Sequence, residues 1–122
     1  MALDLVRLLK AAAEPTRLRL LNLLREGDIC VCDLQAVLGL PQYQVSRHLA
    51  ELRHAGLVTD EREGQRVVYS LAATPSPELK GLQRLLKHCC PLDEVLRNDL
   101  ERFRRAVIQG ACQLNSTKGN SK

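Results

Sequence analysis

The first half of the chain carries its apolar residues at intervals of three and four, the spacing of one face of an α-helix. This pattern predicts four helices, over residues 2–12, 15–25, about 31–38 and about 42–55. Pro15 suits the first turn of the second helix, because the proline nitrogen needs no hydrogen-bond partner there. Gly56 stands directly after the fourth helix, where a left-handed C-terminal cap belongs.

Beyond Gly56 the apolar period changes to two, which is the spacing of a β-strand. Residues 58–62 and 67–71 flank the turn at Glu63-Gly64 and predict a β-hairpin. The order helix, helix, turn, helix and hairpin is that of a winged helix-turn-helix. We therefore predict a mainly α fold with a small β-hairpin wing.

Helical spacing returns in the last third of the chain. Ser76 and Pro77 suit the N-cap and the first position of a further helix, and apolar residues continue at helical intervals to about residue 111. Pro91 is expected to kink this helix or to begin another. Residues 113–122 are polar and are expected to form a disordered tail, which leaves one domain over residues 1–112.

Charge adds little to this picture by itself. The formal charge is +4, and its whole excess lies in residues 73–122, so evidence for nucleic-acid binding must come from a local pattern. The opening MALDLVRLLK is amphipathic rather than a secretory signal. No apolar run approaches the ~20 residues that a membrane span needs, and we expect a cytoplasmic protein without membrane contact.

The helix predicted over residues 42–55 separates polar from apolar side chains. Val45, Leu49 and Leu52 define its buried face at about 100° per residue, and polar side chains occupy the first two turns of the other side. Gln and Arg can bond two atoms of a base edge, and Ser can bond a phosphate. His48 lies near the edge of the apolar face and suits a packed, hydrogen-bonded role better. With two arginines of the hairpin, the candidate DNA-binding residues are Gln42, Tyr43, Gln44, Ser46, Arg47, His48, Arg62 and Arg66.

The five cysteines stand at positions 30, 32, 89, 90 and 112. In a chain without an export signal, thiols indicate metal binding or redox chemistry rather than a disulfide framework. Cys30 and Cys32 lie at a predicted helix start, where the chain is still extended and two thiols can point the same way. A helix N-terminus also favours the thiolate. We interpret them as a ligand pair for a soft ion, against the alternative of two small buried hydrophobes.

Three segments of the chain carry a family resemblance. They are ICVCDL at 29–34, QVSRHLAELRHAGLV at 44–58 and DEREGQRVVYSL at 60–71. These segments closely resemble the ArsR-type arsenic-responsive repressors of the winged-helix ArsR/SmtB group. The resemblance covers roughly residues 5–72 and implies a homodimer built from the first and last helices. It also implies an operator-bound form that is released when As(III) binds, and the similar chemistry of Sb(III) makes it a second candidate inducer.

The family resemblance leaves one ligand of the arsenic site open. As(III) takes three thiolates in a pyramid, and Cys30 and Cys32 supply two. Members of the group often carry a third cysteine three residues after the second, where this chain has Gln35. The third thiolate must then come from Cys112 or from the vicinal pair before Pro91, within one subunit or across two. The ligand set that we favour is Cys30, Cys32, Cys89 and Cys90.

The sequence also leaves alternative functions open. Cadmium and lead sensors with this thiol motif resemble one another in adding N-terminal cysteines, which residues 1–29 lack, and a zinc site on the last helix would have only His88. A thiol-redox or persulfide-responsive repressor pairs one thiol before the recognition unit with one in the last helix. A thiol enzyme is disfavoured because neither His48 nor His88 is clearly paired with a cysteine. A winged helix used only for protein contacts would show no salt-dependent DNA affinity.

Overall fold

The computed structural model describes residues 2–73 and 76–112, with side chains from residue 5 onward. The predicted disordered tail, 113–122, lies outside the described residues. Six α-helices, one 3₁₀ turn and three strands follow one another within the described ranges. They are α1 (Ala2–Ala12), α2 (Pro15–Leu24), β1 (Ile29–Cys30), α3 (Val31–Leu38), α4 (Gln42–His54), β2 (Val58–Glu63), β3 (Arg66–Leu71), α5 (Pro77–Cys89), the 3₁₀ turn Cys90–Leu92 and α6 (Glu94–Ile108).

The predicted helices and hairpin are confirmed, and the mainly α winged-helix fold with them. The expected break at Pro91 is the 3₁₀ turn between α5 and α6, and α6 ends at Ile108 rather than near residue 111. The sequence pattern missed β1. This two-residue strand pairs antiparallel with β3, through Ile29 opposite Tyr69, and gives a three-stranded sheet in the order β1-β3-β2.

Local signals explain where several helices begin and end. The Ser76 hydroxyl accepts a 3.2 Å hydrogen bond from the Leu79 backbone N–H at the start of α5, as predicted for its N-cap. Glu14 caps α2 through its carboxylate, which accepts from the Arg17 backbone N–H at 2.9 Å. Gly56 has φ of 80° after α4, a left-handed conformation that suits glycine. There the Leu57 N–H reaches back to the Leu52 carbonyl at 3.0 Å and closes the helix.

The core is built from leucines of every helix and from the inner face of the small sheet. Phe103 of α6 is its largest fully buried side chain. The core members that are less than 2% exposed are Leu20, Leu21, Leu23, Ile29, Leu34, Val45, Leu49, Leu52, Val58, Val68, Leu79 and Phe103. Because α3 and α4 both contribute to this core, they are held against the rest of the domain as one unit.

A buried carboxylate joins three helices inside this core. Asp99 of α6 is fully buried and accepts two hydrogen bonds from Arg19 of α2, at 2.8 and 3.0 Å, and one from Arg102 at 2.6 Å. Arg102 also donates to the backbone carbonyl of Val37, at 3.2 Å, near the end of α3. Hydrogen bonding to Asp99 raises the pKa of Arg19. The cluster therefore links α2 and α3 to α6 through a single charge.

Within residues 2–73 and 76–112, no helix is both long enough and apolar enough to cross a membrane.

Candidate nucleic-acid interface and thiol site

The polar side of α4 lies open on the surface. Gln42, Tyr43 and Arg47 are exposed, with Tyr43 67% accessible. Gln44 and Ser46 are half-buried beside them. Val45, Leu49 and Leu52 are fully buried on the other side, as the sequence predicted. A helix of this kind presents hydrogen-bonding side chains in its first turns, at the end that enters the major groove in helix-turn-helix proteins.

The start of α4 is defined by its own N-cap, and its end is tied to the wing. Its N-cap is Pro41, whose carbonyl accepts from the Gln44 and Val45 backbone N–H groups at 3.1 and 3.2 Å. At the other end, Arg53 donates to the Asp60 carboxylate of β2 at 3.0 Å. The helix is therefore positioned between α3 and the wing, and its exposed face has a defined orientation.

His48 has a different place from the other candidate DNA-binding residues. Its side chain is only 13% exposed, and its Nδ1 lies 3.3 Å from an Arg17 guanidinium nitrogen and 3.7 Å from the Glu14 carboxylate. The ring packs α4 against the start of α2. The structure thus gives His48 the packed, hydrogen-bonded role that the sequence favoured for it.

The wing carries the two remaining candidates at the tip of the hairpin. Arg62 is exposed near the end of β2, and Arg66 is half-buried at the start of β3. The Arg66 guanidinium lies 3.6 Å from the carboxylate of Glu63, which is directly opposite it in the strand pairing. Arg62 is therefore the more accessible cation of the wing.

The thiol pair at the start of α3 is split between two environments. Cys30 ends β1 with extended backbone, is the N-cap of α3 and is 4% exposed. Cys32 lies one residue inside the helix and is exposed. All five cysteines are free thiols. The structure therefore does not bring the two sulfurs onto one surface.

Asp33 connects Cys30 to the far end of the described chain. Its side chain is hydrogen-bonded to the thiols of both Cys30 and Cys112, and the charge of an ionised Cys30 also raises the pKa of Cys112. Burial raises the pKa of the Cys30 thiol most, the backbone of Asp33 lowers it, and the Asp33 side chain raises it. Burial and the same carboxylate raise the pKa of Cys112 to about 11.

These shifts correct the expectation that the helix N-terminus favours a thiolate at position 30. Cys30 is buried, and desolvation penalises the charged form by more than the helix start favours it. A neighbouring carboxylate adds to the penalty because like charges repel. Cys30 and Cys112 are therefore held as neutral thiols at neutral pH.

The vicinal cysteines have other contacts. Cys90 is buried, and the Asn22 side-chain amide donates to its sulfur at 3.7 Å and to the Leu96 carbonyl at 3.3 Å. Cys89 is half-buried at the last residue of α5. Across the parts of the chain that the structure describes, no three His, Cys, Asp or Glu side chains are already arranged to hold a metal ion. The favoured ligand set is thus not preassembled.

Burial predicts the order in which the thiols react. We expect iodoacetamide at pH 8 to modify Cys32 well before Cys112, since only Cys32 is exposed. A thiol with a pKa of about 11 is ionised in about one molecule in a thousand at that pH. Peptide mass mapping over time measures the order, and denatured protein, in which the cysteines should react at similar rates, is the control. Equal rates for Cys32 and Cys112 in the folded protein would contradict it.

Comparison with known proteins finds relatives that are named as bacterial regulators. Residues 14–60 match the family model described as bacterial regulatory protein, arsR family. The Arsenic resistance transcriptional regulator ArsR1 of Pseudomonas putida is 51% identical over 63 residues, 51% of this chain, and the chain spans about half (49%) of that relative. The Arsenical resistance operon repressor of Escherichia coli is 36% identical over 118 residues. This match covers 96% of this chain and 92% of the Escherichia coli protein.

Among solved structures, HlyU from Vibrio cholerae N16961 superimposes with a TM-score of 0.65 at 39% identity. The match covers 71% of this chain and 91% of that one. The family match runs from the N-cap of α2 into β2, and so includes α3, the turn and α4. With more than a third of the residues identical over nearly the full length of the Escherichia coli repressor, the chain belongs to the arsR family of bacterial regulatory proteins.

Proposed function

We propose that this protein is a homodimeric transcriptional repressor that leaves its operator when trivalent arsenic binds its cysteine thiolates. One observation supports the proposal above the others. The thiol pair Cys30 and Cys32 opens α3, the helix that leads through the turn into the exposed polar face of α4. A ligand at this pair therefore acts on the element next to the DNA-binding helix. The names of the Pseudomonas and Escherichia coli relatives agree with it.

In the proposed complex, α4 enters the major groove and the wing follows the neighbouring backbone. Gln44 and Arg47 are the side chains best suited to base edges, because each can make two parallel hydrogen bonds. Ser46 and Arg62 suit phosphate oxygens. Gln42, Tyr43 and Arg66 lie at the margins of the same surface, and His48 contributes by fixing α4 rather than by touching DNA.

Dimerisation through the terminal helices accounts for apolar side chains that would otherwise face water. Exposed large apolar residues, each 44–85% accessible, occur on α1, α5, the 3₁₀ turn and α6. They are Leu5, Val6, Leu9, Leu85, Leu92, Val95 and Ile108. Burying such surface between two copies is favourable by about 25 cal/mol per Å². A two-fold dimer would present two α4 helices to half-sites about one helical turn of DNA apart.

The chemistry of the thiols fits As(III). Arsenous acid carries three hydroxyl groups, and each thiol that binds replaces one of them as water, so an As–S bond forms and no electron is transferred. Soft thiolates select such an ion over hard cations. A hundredfold loss of DNA affinity requires only about 2.7 kcal/mol of coupling between the two sites, which a small displacement of α4 can supply.

The test is fluorescence anisotropy of the reduced protein on DNA from its own upstream region. Addition of As(III) at stoichiometric concentration is expected to release the DNA. Cys30→Ser and Cys32→Ser should bind DNA as the wild type does and lose the release. Full release from both single variants would overturn the proposal, and release only by Cd(II), Zn(II) or peroxide would replace arsenic with another inducer.

A further inference from the structure

We propose that Cys112 supplies the third thiolate of the arsenic site, in the same chain as Cys30 and Cys32. The inference rests on the proposed function, because it names the remaining ligand of that site. It departs from the ligand set that the sequence favoured, in which the third sulfur came from Cys89 or Cys90.

The chain turns back after α6 in a way that brings Cys112 to α3. Gly110 has φ of 80°, and the backbone N–H groups of Ala111 and Cys112 both reach the Ala106 carbonyl, at 2.8 and 3.2 Å. Cys112 is consequently 5% exposed and belongs to the main core cluster. The main chain at Cys112 is therefore held by backbone hydrogen bonds, and its side chain is buried.

The Asp33 side chain marks the place where the thiols meet. It is hydrogen-bonded to the thiols of both Cys30 and Cys112, so the two thiols lie beside the same carboxylate. Asp33 is also the residue directly after Cys32. Cys32, which would complete the three-sulfur site with Cys30 and Cys112, therefore lies on the same first turn of α3 as Asp33.

Cys112 also lines a cavity between α3 and α6. This cavity has a volume of about 250 Å³, and its other walls include Ala36 and Val37 of α3 and Ala106 of α6. Space beside the sulfur allows Cys112 to shift without displacing the core. Cys90 also lines a cavity, of about 540 Å³, but its sulfur accepts a hydrogen bond from the Asn22 side-chain amide, in a contact that joins α2 to the start of α6.

Binding would require one movement, and that movement reaches α4. Cys32 is exposed while Cys30 and Cys112 are buried, so the first turn of α3 must rotate inward to complete a three-sulfur site. The hydrogen bonds from the two buried thiols to Asp33 break as the thiol protons leave with the arsenic hydroxyl groups as water. Because α3 and α4 share one core, rotation of α3 shifts the exposed face of α4.

The experiment is X-ray absorption spectroscopy at the arsenic edge on protein loaded with one equivalent of As(III). We expect three sulfur neighbours in the wild type and two in Cys112→Ser, with oxygen in the vacated position. Cys89→Ser and Cys90→Ser are the matched controls and should keep three. The As(III) concentration for half-release of DNA should rise about 10- to 100-fold in Cys112→Ser, while its DNA affinity without arsenic stays at the wild-type value.

The outcomes separate this inference from the proposed function. Three sulfurs retained in both Cys112→Ser and Cys112→Ala, together with loss of one in Cys89→Ser or Cys90→Ser, would overturn the assignment of Cys112 and leave the arsenic sensor intact. Three sulfurs retained in Cys30→Ser would overturn the proposed site itself. If Cys112→Ser does not fold, alkylation of the As(III)-loaded wild-type protein tests the same assignment. Slower alkylation of Cys30, Cys32 and Cys112, with no change at Cys89, supports it. Unchanged alkylation of Cys112 refutes it.

Discussion

Replacing Asp99 by alanine is expected to lower the free energy of unfolding by about 3 kcal/mol. Its carboxylate is fully buried and accepts hydrogen bonds from Arg19 and Arg102. Removing one partner of a buried ion pair leaves a charge without compensation, which costs about 3–5 kcal/mol. We take the lower end because the Arg19 and Arg102 side chains are 21% and 47% exposed and can recover part of their hydration.

Urea denaturation followed by circular dichroism measures this loss. Asp99→Asn keeps the shape and part of the hydrogen bonding, and it should fall between the wild type and the alanine variant. Glu101→Ala removes an exposed carboxylate from the same helix and is the matched control, expected within about 0.5 kcal/mol of the wild type. An Asp99→Ala variant as stable as Glu101→Ala would show that the buried ion pair contributes nothing net.

Asp99 also shows what periodicity can and cannot predict. It lies on the same face of α6 as Leu96 and Phe103, so its position inside an apolar stripe was visible in the sequence. A polar residue there requires a buried partner. The partner, Arg19, is 80 residues away, and nothing in a single sequence links two such positions.

The helices were predicted closely because each carries its own local signals. Pro15 acts through its fixed φ, and Ser76 and Gly56 act through hydrogen bonds to residues within five positions, so the sequence contains the whole cause. β1 was missed for the opposite reason. It has only two residues, too few for any period, and it exists because Ile29 pairs with Tyr69 across forty positions.

The thiols follow the same division between local and distant causes. That Cys30 and Cys32 open a helix followed from sequence, since the helix itself was predictable. That one is buried and the other exposed depends on β3 and on the residues after α6, which the sequence could not place. The proximity of Cys112 to Asp33 likewise depends on the turn after α6. Its signal in the sequence was only Gly110, two residues before it.

Replacing Arg47 by alanine is expected to weaken operator binding by about 2 to 6 kcal/mol, a factor of roughly thirty to twenty-five thousand. Arg47 is exposed on the polar face of α4, opposite the buried Leu49. Loss of an arginine that bonds a base edge costs about 1–3 kcal/mol, and the proposed dimer loses two such contacts. Because a base contact carries sequence information, binding to unrelated DNA should change far less than binding to the operator.

The salt dependence of binding distinguishes Arg47 from the wing. Arg62→Ala should weaken operator and unrelated DNA alike and reduce the slope of log affinity against log salt by about two per dimer, as expected for a phosphate contact. Arg47→Ala should leave that slope close to the wild-type value. Arg84→Ala, an exposed arginine of α5, is the control and should change neither quantity. If the operator affinity of Arg47→Ala matched that of the Arg84 control, α4 would not be the sequence-reading helix. If Arg47→Ala reduced the slope of log affinity against log salt, Arg47 would be a phosphate contact instead.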